Sequence, residues 1–267
     1  MRIVVLAPIR NSLYSCLVTH LLAQAPGIDV CRIVVRTPWS FRRIRGELRR
    51  DGIRLLRKVY RKLVVGDSAY AQTEENIVEL SVKVGLPRRD LYRLGRYCRI
   101  PVSTVRDHNE TLSCDAITKA QPDLIVFTGG GLIRDRLLQI PRLGVLNCHM
   151  GPLPRYRGMD VVEWPILEHG SATANLGLTV HFMDKGVDTG DVLAQRETVF
   201  HDLDTFRRVR DRMEPQMVRL MVETVIGLRD GTVNRTKQRV DSGRQYFVMH
   251  PRLYEIAERC LRSAVRS

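Results

Sequence analysis

Residues 123–158 read DLIVFTGGGLIRDRLLQIPRLGVLNCHMGPLPRYRG, and this stretch decides the fold. Two apolar runs, "DLIVFTG" (123–129) and "GVLNCH" (144–149), flank a segment with helical spacing at 134–140. Short, continuous, β-branched runs of this kind are strands buried on both faces. A strand, a helix and a second strand in so short a span make a parallel unit. The second run ends in Asn147 and His149. Residues two apart on a strand share a face, so the amide and the imidazole point one way and Cys148 the other. The "GPLP" that follows cannot continue a central strand, because proline supplies no ladder donor. Ligands of open parallel sheets bind beyond the carboxyl ends of the strands, and these two polar groups stand at such an end.

Outward from this unit the same alternation continues. "IVVLAP" (3–8) and "CRIVVR" (31–36) are further buried strands. "NSLYSCLVTHLL" has helical spacing, with Asn11 or Ser12 as its cap, and further helices fall at 72–84 and 109–120. Beyond residue 170 the pattern changes. "LGLTVHFM" (176–183) alternates like a half-buried strand, "DKGVDTGD" (184–191) is a turn, and "VLAQRETV" (192–199) is a second strand. A long helix follows from Leu203 to Leu228, then a tail with one more short helix. The expected class is α/β: a mainly parallel sheet flanked by helices, with a C-terminal antiparallel hairpin and a short helical tail. Residues 1–230 are expected to form one domain, and 231–267 a short extension packing on it.

The 267 residues suffice for a real core, and 44% hydrophobic with 27% charged residues is ordinary for a globular protein. No apolar run reaches the ~18 residues of a membrane span. "MRIVVLAPIRNS" is too short in its apolar part for a secretory leader and reads as the first strand. Six cysteines without a C-x-x-C pair suit buried thiols in a reducing cytoplasm better than zinc or disulfides. The net charge of +14 points to an anionic partner, and much of it lies in "SFRRIRGELRRDGIRLLRKVYRKLVV" (40–65). That segment is a basic amphipathic helix. A solvated helix docked by its apolar stripe is the favoured reading, with contact to an anionic substrate, nucleic acid or a membrane surface as alternatives.

The hairpin turn holds Asp184, Asp188 and Asp191. A calcium loop would need a longer oxygen array and a terminal glutamate. Two readings stay open: turn-forming aspartates, or one aspartate serving as partner of His149 and proton acceptor.

"GVLNCHMGPLPRYRG" resembles the N-x-H-x-S-L-L-P-x-[YW]-[RP]-G signature of the folate-dependent formyltransferases. "LGLTVHFMDKGVDTGDVLAQ" is similar to that family's second signature, and "PDLIVFTGGGLIRDRLLQIPRLG" resembles the strand and helix before the first. The resemblance implies a Rossmann-like formyltransferase fold and a catalytic triad of Asn147, His149 and Asp188. It implies 10-formyltetrahydrofolate as formyl donor and no metal. Attack of a neutral amine on the formyl carbon creates an oxyanion. Asn147 and a protonated His149 would each donate to it, and Asp188 would orient the ring and take the amine proton. One such donor is worth ~3 kcal/mol in a dry site. The pterin is expected against the main chain of Gly131, Leu132, Ile133 and Arg134, with Leu153, Pro154, Asp184 and Gly190 around it. One departure stands out: Gly151 occupies the serine position of the signature.

For the acceptor the resemblance is less specific. Arg10, Asn11 and Ser12 at a helix N-terminus could hold an anion or simply cap the helix. Arg155, Tyr156 and Arg157 could face the acceptor. After Val199 no run of alternating strands suggests the β-barrel of methionyl-tRNA formyltransferases. A nucleotide-linked amino sugar is therefore the expected substrate, with a homodimer compatible. The alternatives are a tRNA, peptide or lipid amine, and a non-catalytic folate-binding homologue.

Overall fold

The protein is described from a computed structural model, over residues 1–37, 76–170, 174–198, 200 and 204–263. The basic 40–65 segment lies outside the described residues, as does the start of the helix expected at 72–84.

The chain runs β1 (Arg2–Ala7), α1 (Leu13–Gln24), β2 (Asp29–Arg36), α2 (Ile77–Lys83), α3 (Leu91–Cys98), β3 (Val102–Val105), α4 (Thr111–Ala120), β4 (Leu124–Phe127), α5 (Asp135–Leu138) and β5 (Gly144–His149). It continues through β6 (Tyr156–Gly158), α6 (Glu163–His169), β7 (Leu176–Phe182), β8 (Val192–Thr198), α7 (Phe206–Asp230), β9 (Arg244–Tyr246) and α8 (Pro251–Ser263). Seven strands form one sheet in the order β3-β2-β1-β4-β5-β7-β8. The strands from β3 to β5 are parallel, and β7 and β8 close the far side antiparallel. The order reverses between β1 and β4, which opens a crevice at their carboxyl ends. The structure thus has the expected α/β architecture and hairpin.

Strand alternation explains the unbroken apolar runs. In β1, Ile3, Val5 and Ala7 join a core with Leu17 of α1 and Val218 of α7. Val4 and Leu6 face the opposite way, onto Ile117 of α4 and Leu137 of α5. Both faces are buried, so no polar residue interrupts the strand. Helix starts follow side-chain chemistry. Ser12 caps α1, Asn76 and Glu79 make a capping box on α2, and Asp90 caps α3.

Sequence reading missed the helices α3 and α6 and the edge strand β3 of the main sheet. β3 is four residues at an edge, half polar, and carries none of the apolar length that marks the inner strands. It also missed the small parallel pair of β6 and β9, three residues each.

The segment after α7 packs back onto the main body. Val192 and Thr236 exchange two backbone hydrogen bonds, of 2.9 and 2.8 Å. Trp164 Nε1 donates to the Phe247 carbonyl, and Met249 N–H to Asp160. Met249, Ala257 and Leu261 are buried in the core shared with α6 and α7.

Candidate active site

The site assembles where β5 meets β7. Asn147 lies beside Phe127 in the parallel register and opposite His181 in the antiparallel one; His149 lies opposite Thr179. Leu146, Cys148 and Val180 fill the core on one face. Asn147, His149, Thr179 and His181 therefore share the other. The turn between β7 and β8 brings Asp188 over them.

Asp188 is the junction. Its Oδ2 accepts from the Gly158 N–H at 2.9 Å and lies 3.5 Å from His149 Nδ1. Its Oδ1 lies 3.4 Å from His181 Nε2, and that nitrogen is 3.3 Å from Asn147 Nδ2. His181 Nδ1 donates to the Phe182 carbonyl at 2.8 Å. The proton on Nε2 thus decides its partner: protonated it donates to Asp188, unprotonated it accepts from Asn147. The structure brings Asn147, His149 and Asp188 into one cluster, and His181 stands at its centre.

His149 is 7% exposed, and its Nε2 lies 2.8 Å from the Tyr156 carbonyl oxygen. A carbonyl only accepts, so Nε2 carries a proton and donates it there. That proton is therefore directed at the main chain. Nδ1 is the nitrogen that faces Asp188. Burial holds the His149 ring below its ordinary pKa of 6.5; Asp188 and the Tyr156 carbonyl oppose this without overcoming it, and His181 adds to it. This lowering works against the imidazolium that the resemblance led one to expect. Burial pushes Asp188 up, but the His181 hydrogen bond, the two imidazoles and the Gly158 N–H outweigh it and hold the carboxyl at about 2.

Glycine at 151 has a local cause. A Cβ there would stand 2.9 Å from His149 Nε2 and 3.0 Å from the Tyr156 carbonyl oxygen. The departure from the signature leaves room for that hydrogen bond.

The glycine-rich segment after β4 lies at the topological switch. Gly130 has φ 128°, and a Cβ on it would come within 2.7 Å of the buried His108 ring. Arg36 donates to the Gly130 carbonyl. Asn109 clasps the next turn: Nδ2 donates to the Leu132 carbonyl at 2.8 Å, and Oδ1 accepts from the Arg134 N–H at 2.7 Å. Leu132 is 74% exposed, whereas Ile133 is buried in the core with α4 and α5. Leu153 is buried and Pro154 half-buried. Asp184 accepts from the Gly186 N–H and the Thr189 hydroxyl, which makes it a turn former. Gly190 has no room for a side chain, since a Cβ would meet the Phe182 carbonyl oxygen at 2.0 Å.

The residues expected to face the acceptor are placed differently from one another. Arg10 is bound by Asp90 at 2.6 Å and lies over the Tyr92 ring, Asn11 is exposed, and Ser12 caps α1. Tyr156 does not face the crevice: it is 1% exposed, stacks on Tyr246 and donates to Glu168. What it offers the site is its carbonyl. Arg155 is exposed, and Arg157 donates to the Gly243 carbonyl. Among the described residues no cluster of His, Cys, Asp or Glu has the makings of a metal site, and no helix is long and apolar enough to cross a membrane.

A family model described as formyl transferase matches residues 71–225, more than half of the chain. The chain belongs to the formyl transferase family. The match includes Asn147, His149, His181 and Asp188 and stops before the C-terminal segment. A methionyl-tRNA formyltransferase of Pelobacter propionicus is 35% identical over 140 residues, which are 52% of this chain and 43% of that protein. This chain thus spans less than half the length of the curated relatives it matches. Among solved structures, glycinamide ribonucleotide transformylase 1 from Symbiobacterium toebii superposes with a TM-score of 0.58 at 16% identity, covering 89% of this chain and 94% of that one. WlaRD, a sugar 3N-formyl transferase solved in the presence of dTDP and 5-N-formyl-THF, gives 0.55 at 13%, covering 92% and 69%. These two likenesses establish the shared fold of this formyl transferase family member.

Three residues escaped the sequence reading. His181 sits in the second signature, but a lone polar residue in an alternating strand gave no sign of its partners. Asn109 and Gln238 lie far in sequence from the segments they hold, and only the folded chain joins them.

Proposed function

We propose that this formyl transferase family member moves a formyl group from 10-formyltetrahydrofolate to the primary amine of a small acceptor. The observation that carries the reading is one ionised carboxylate, Asp188, set between two buried imidazoles beside an amide donor, at the open end of a sheet. We place the folate against the segment 131–134, whose main chain is pinned by Asn109 and whose one glycine, Gly131, admits close approach. Gly131, Leu132 and Arg134 would hold the pterin, with Ile133 contributing main chain and Leu153, Pro154, Asp184 and Gly190 shaping the far wall. When bound, the folate supplies an activated formyl carbon.

The chain's own residues do the rest. Asn147 has a second Nδ2 proton to direct at charge developing on the formyl oxygen, worth ~3 kcal/mol if water is excluded. The amine must lose a proton on attack. Asp188 and the Nδ1 lone pair of His149 form the acceptor, and the proton they take converts the ring to an imidazolium facing the carboxylate. Donation from Nε2 to Tyr156 fixes the tautomer that leaves Nδ1 free for this.

For the acceptor, a nucleotide-linked amino sugar is the favoured class. The basic chain suits a diphosphate, and WlaRD, of the same fold, is a sugar enzyme. The sequence relatives favour a second reading, methionyl-tRNA. Incubation with 10-formyltetrahydrofolate and a panel of amino-sugar nucleotides, with charged initiator tRNA in parallel, separates them. Tetrahydrofolate release with a sugar nucleotide is expected. Formylation of tRNA alone would overturn the acceptor, and no turnover with any amine would overturn the reaction.

A further inference from the structure

The C-terminal segment lies outside the family match, yet it reaches the carboxylate at the centre of the site. Gln238 is 8% exposed. Its Nε2 lies 3.1 Å from the Asp188 carbonyl oxygen and 2.5 Å from that of Gly190. Both partners are carbonyls, so the amide nitrogen must face the loop and its two protons are both used. Two residues earlier Thr236 is locked to Val192, just past the same loop, by hydrogen bonds in both directions. Asp188 itself has φ 53°, in the left-handed region that side chains other than Asn and Asp seldom adopt. Such a conformation persists when its surroundings over-determine it. Here Gly158 and the imidazoles hold the carboxylate end, and Gln238 holds the main-chain end.

We propose that Gln238 is a positioning residue: by binding the carbonyls of Asp188 and Gly190 it fixes the backbone from which the Asp188 carboxylate is aimed at His149. This rests on the formyl-transfer reading of the site and extends it to a segment outside the family match. A merely structural glutamine would tie the tail down and affect stability alone. A positioning glutamine also sets the protonation of His149, because that ring's imidazolium is stabilised by Asp188.

The decisive variant is Gln238→Met, which keeps length and apolar stem and removes both donors. Gln238→Leu, likewise without donors and without a new charge, is the second variant should the methionine chain fail to fold. Two measurements are made on the full chain. The first is the titration of the His149 ring by NMR, with its signal assigned by loss in His149→Asn; it needs no substrate. The second is turnover of 10-formyltetrahydrofolate with the acceptor that the panel identifies. The expected result is a His149 pKa lower than in the parent and kcat reduced about 10-fold or more, with KM for the folate within about twofold. An unchanged His149 titration, or a loss of activity that only follows melting temperature, would overturn the inference. A parent protein inactive with every amine would instead sink the formyl-transfer reading, and the titration would still decide whether Gln238 aims Asp188.

Discussion

Asp188 combines a left-handed backbone with a half-buried carboxylate held at a pKa of about 2. Asparagine tolerates that backbone, so Asp188→Asn should fold while losing the proton acceptor. Turnover is expected to fall 10²- to 10⁴-fold, the usual range for general-base removal, with folate affinity within a few-fold of the parent. Acidity should act in one direction. The Asp188 carboxyl is lower in the folded chain than its ordinary 3.8, so its stabilisation is complete above that pH and is lost as pH falls towards about 2. The His149 ring is also lowered, so below its ordinary 6.5 the unfolded chain gains a proton that the folded one resists. Both effects weaken the fold in acid. Melting temperature against pH should decline below 6.5, and the decline between 3.8 and 2 should be shallower in Asp188→Asn. Gly151→Ala should push His149 off the Tyr156 carbonyl, since its Cβ would meet both. A shifted His149 Nε2 signal in ¹⁵N NMR would show it. At this scale the sequence exposed Asn147, His149 and Asp188, because each sits in a motif whose spacing matches a known pattern. His181 lies in the second motif too, but nothing local shows that it meets two partners.

Most of the main sheet was legible from its apolar runs. β1, β2, β4, β5 and β7 are apolar runs with both faces or one face covered, and periodicity finds such runs. β3, β6 and β9 are three or four residues long and depend on partners distant in the chain. The segment 129–134 shows the same limit. Its glycines marked a loop, but the loop's shape comes from Asn109, more than twenty residues earlier. Asn109→Ala should cost about 1 kcal/mol of stability for each net hydrogen bond lost. It should weaken binding of 5-formyltetrahydrofolate about 10-fold and leave the acceptor KM nearly unchanged. Equal weakening for both ligands would count against a folate role for this turn.

For the molecule as a whole, residues 231–263 contribute buried groups to the main core rather than a loose tail. Met249, Ala257 and Leu261 are each less than a tenth exposed. A chain ending at 230 should therefore melt well below the parent or aggregate, and Met249→Ala alone should cost about 2–5 kcal/mol in chemical denaturation. Fold class could be anticipated from alternating strands and helices; the return of the tail to the β7–β8 turn could not, because it is written in hydrogen bonds from one glutamine and one threonine to residues more than forty positions earlier. The proton on His149 has a different kind of guardian. It is assigned by a peptide oxygen at position 156, which every amino acid possesses. Saturation mutagenesis at that codon can strip away the phenol and its stacking, yet it will not erase the acceptor. No substitution at 156 can reach this setting, so the ring's tautomer is inherited with the path of the loop between 150 and 158, including the bare Cα of Gly151 that leaves it room.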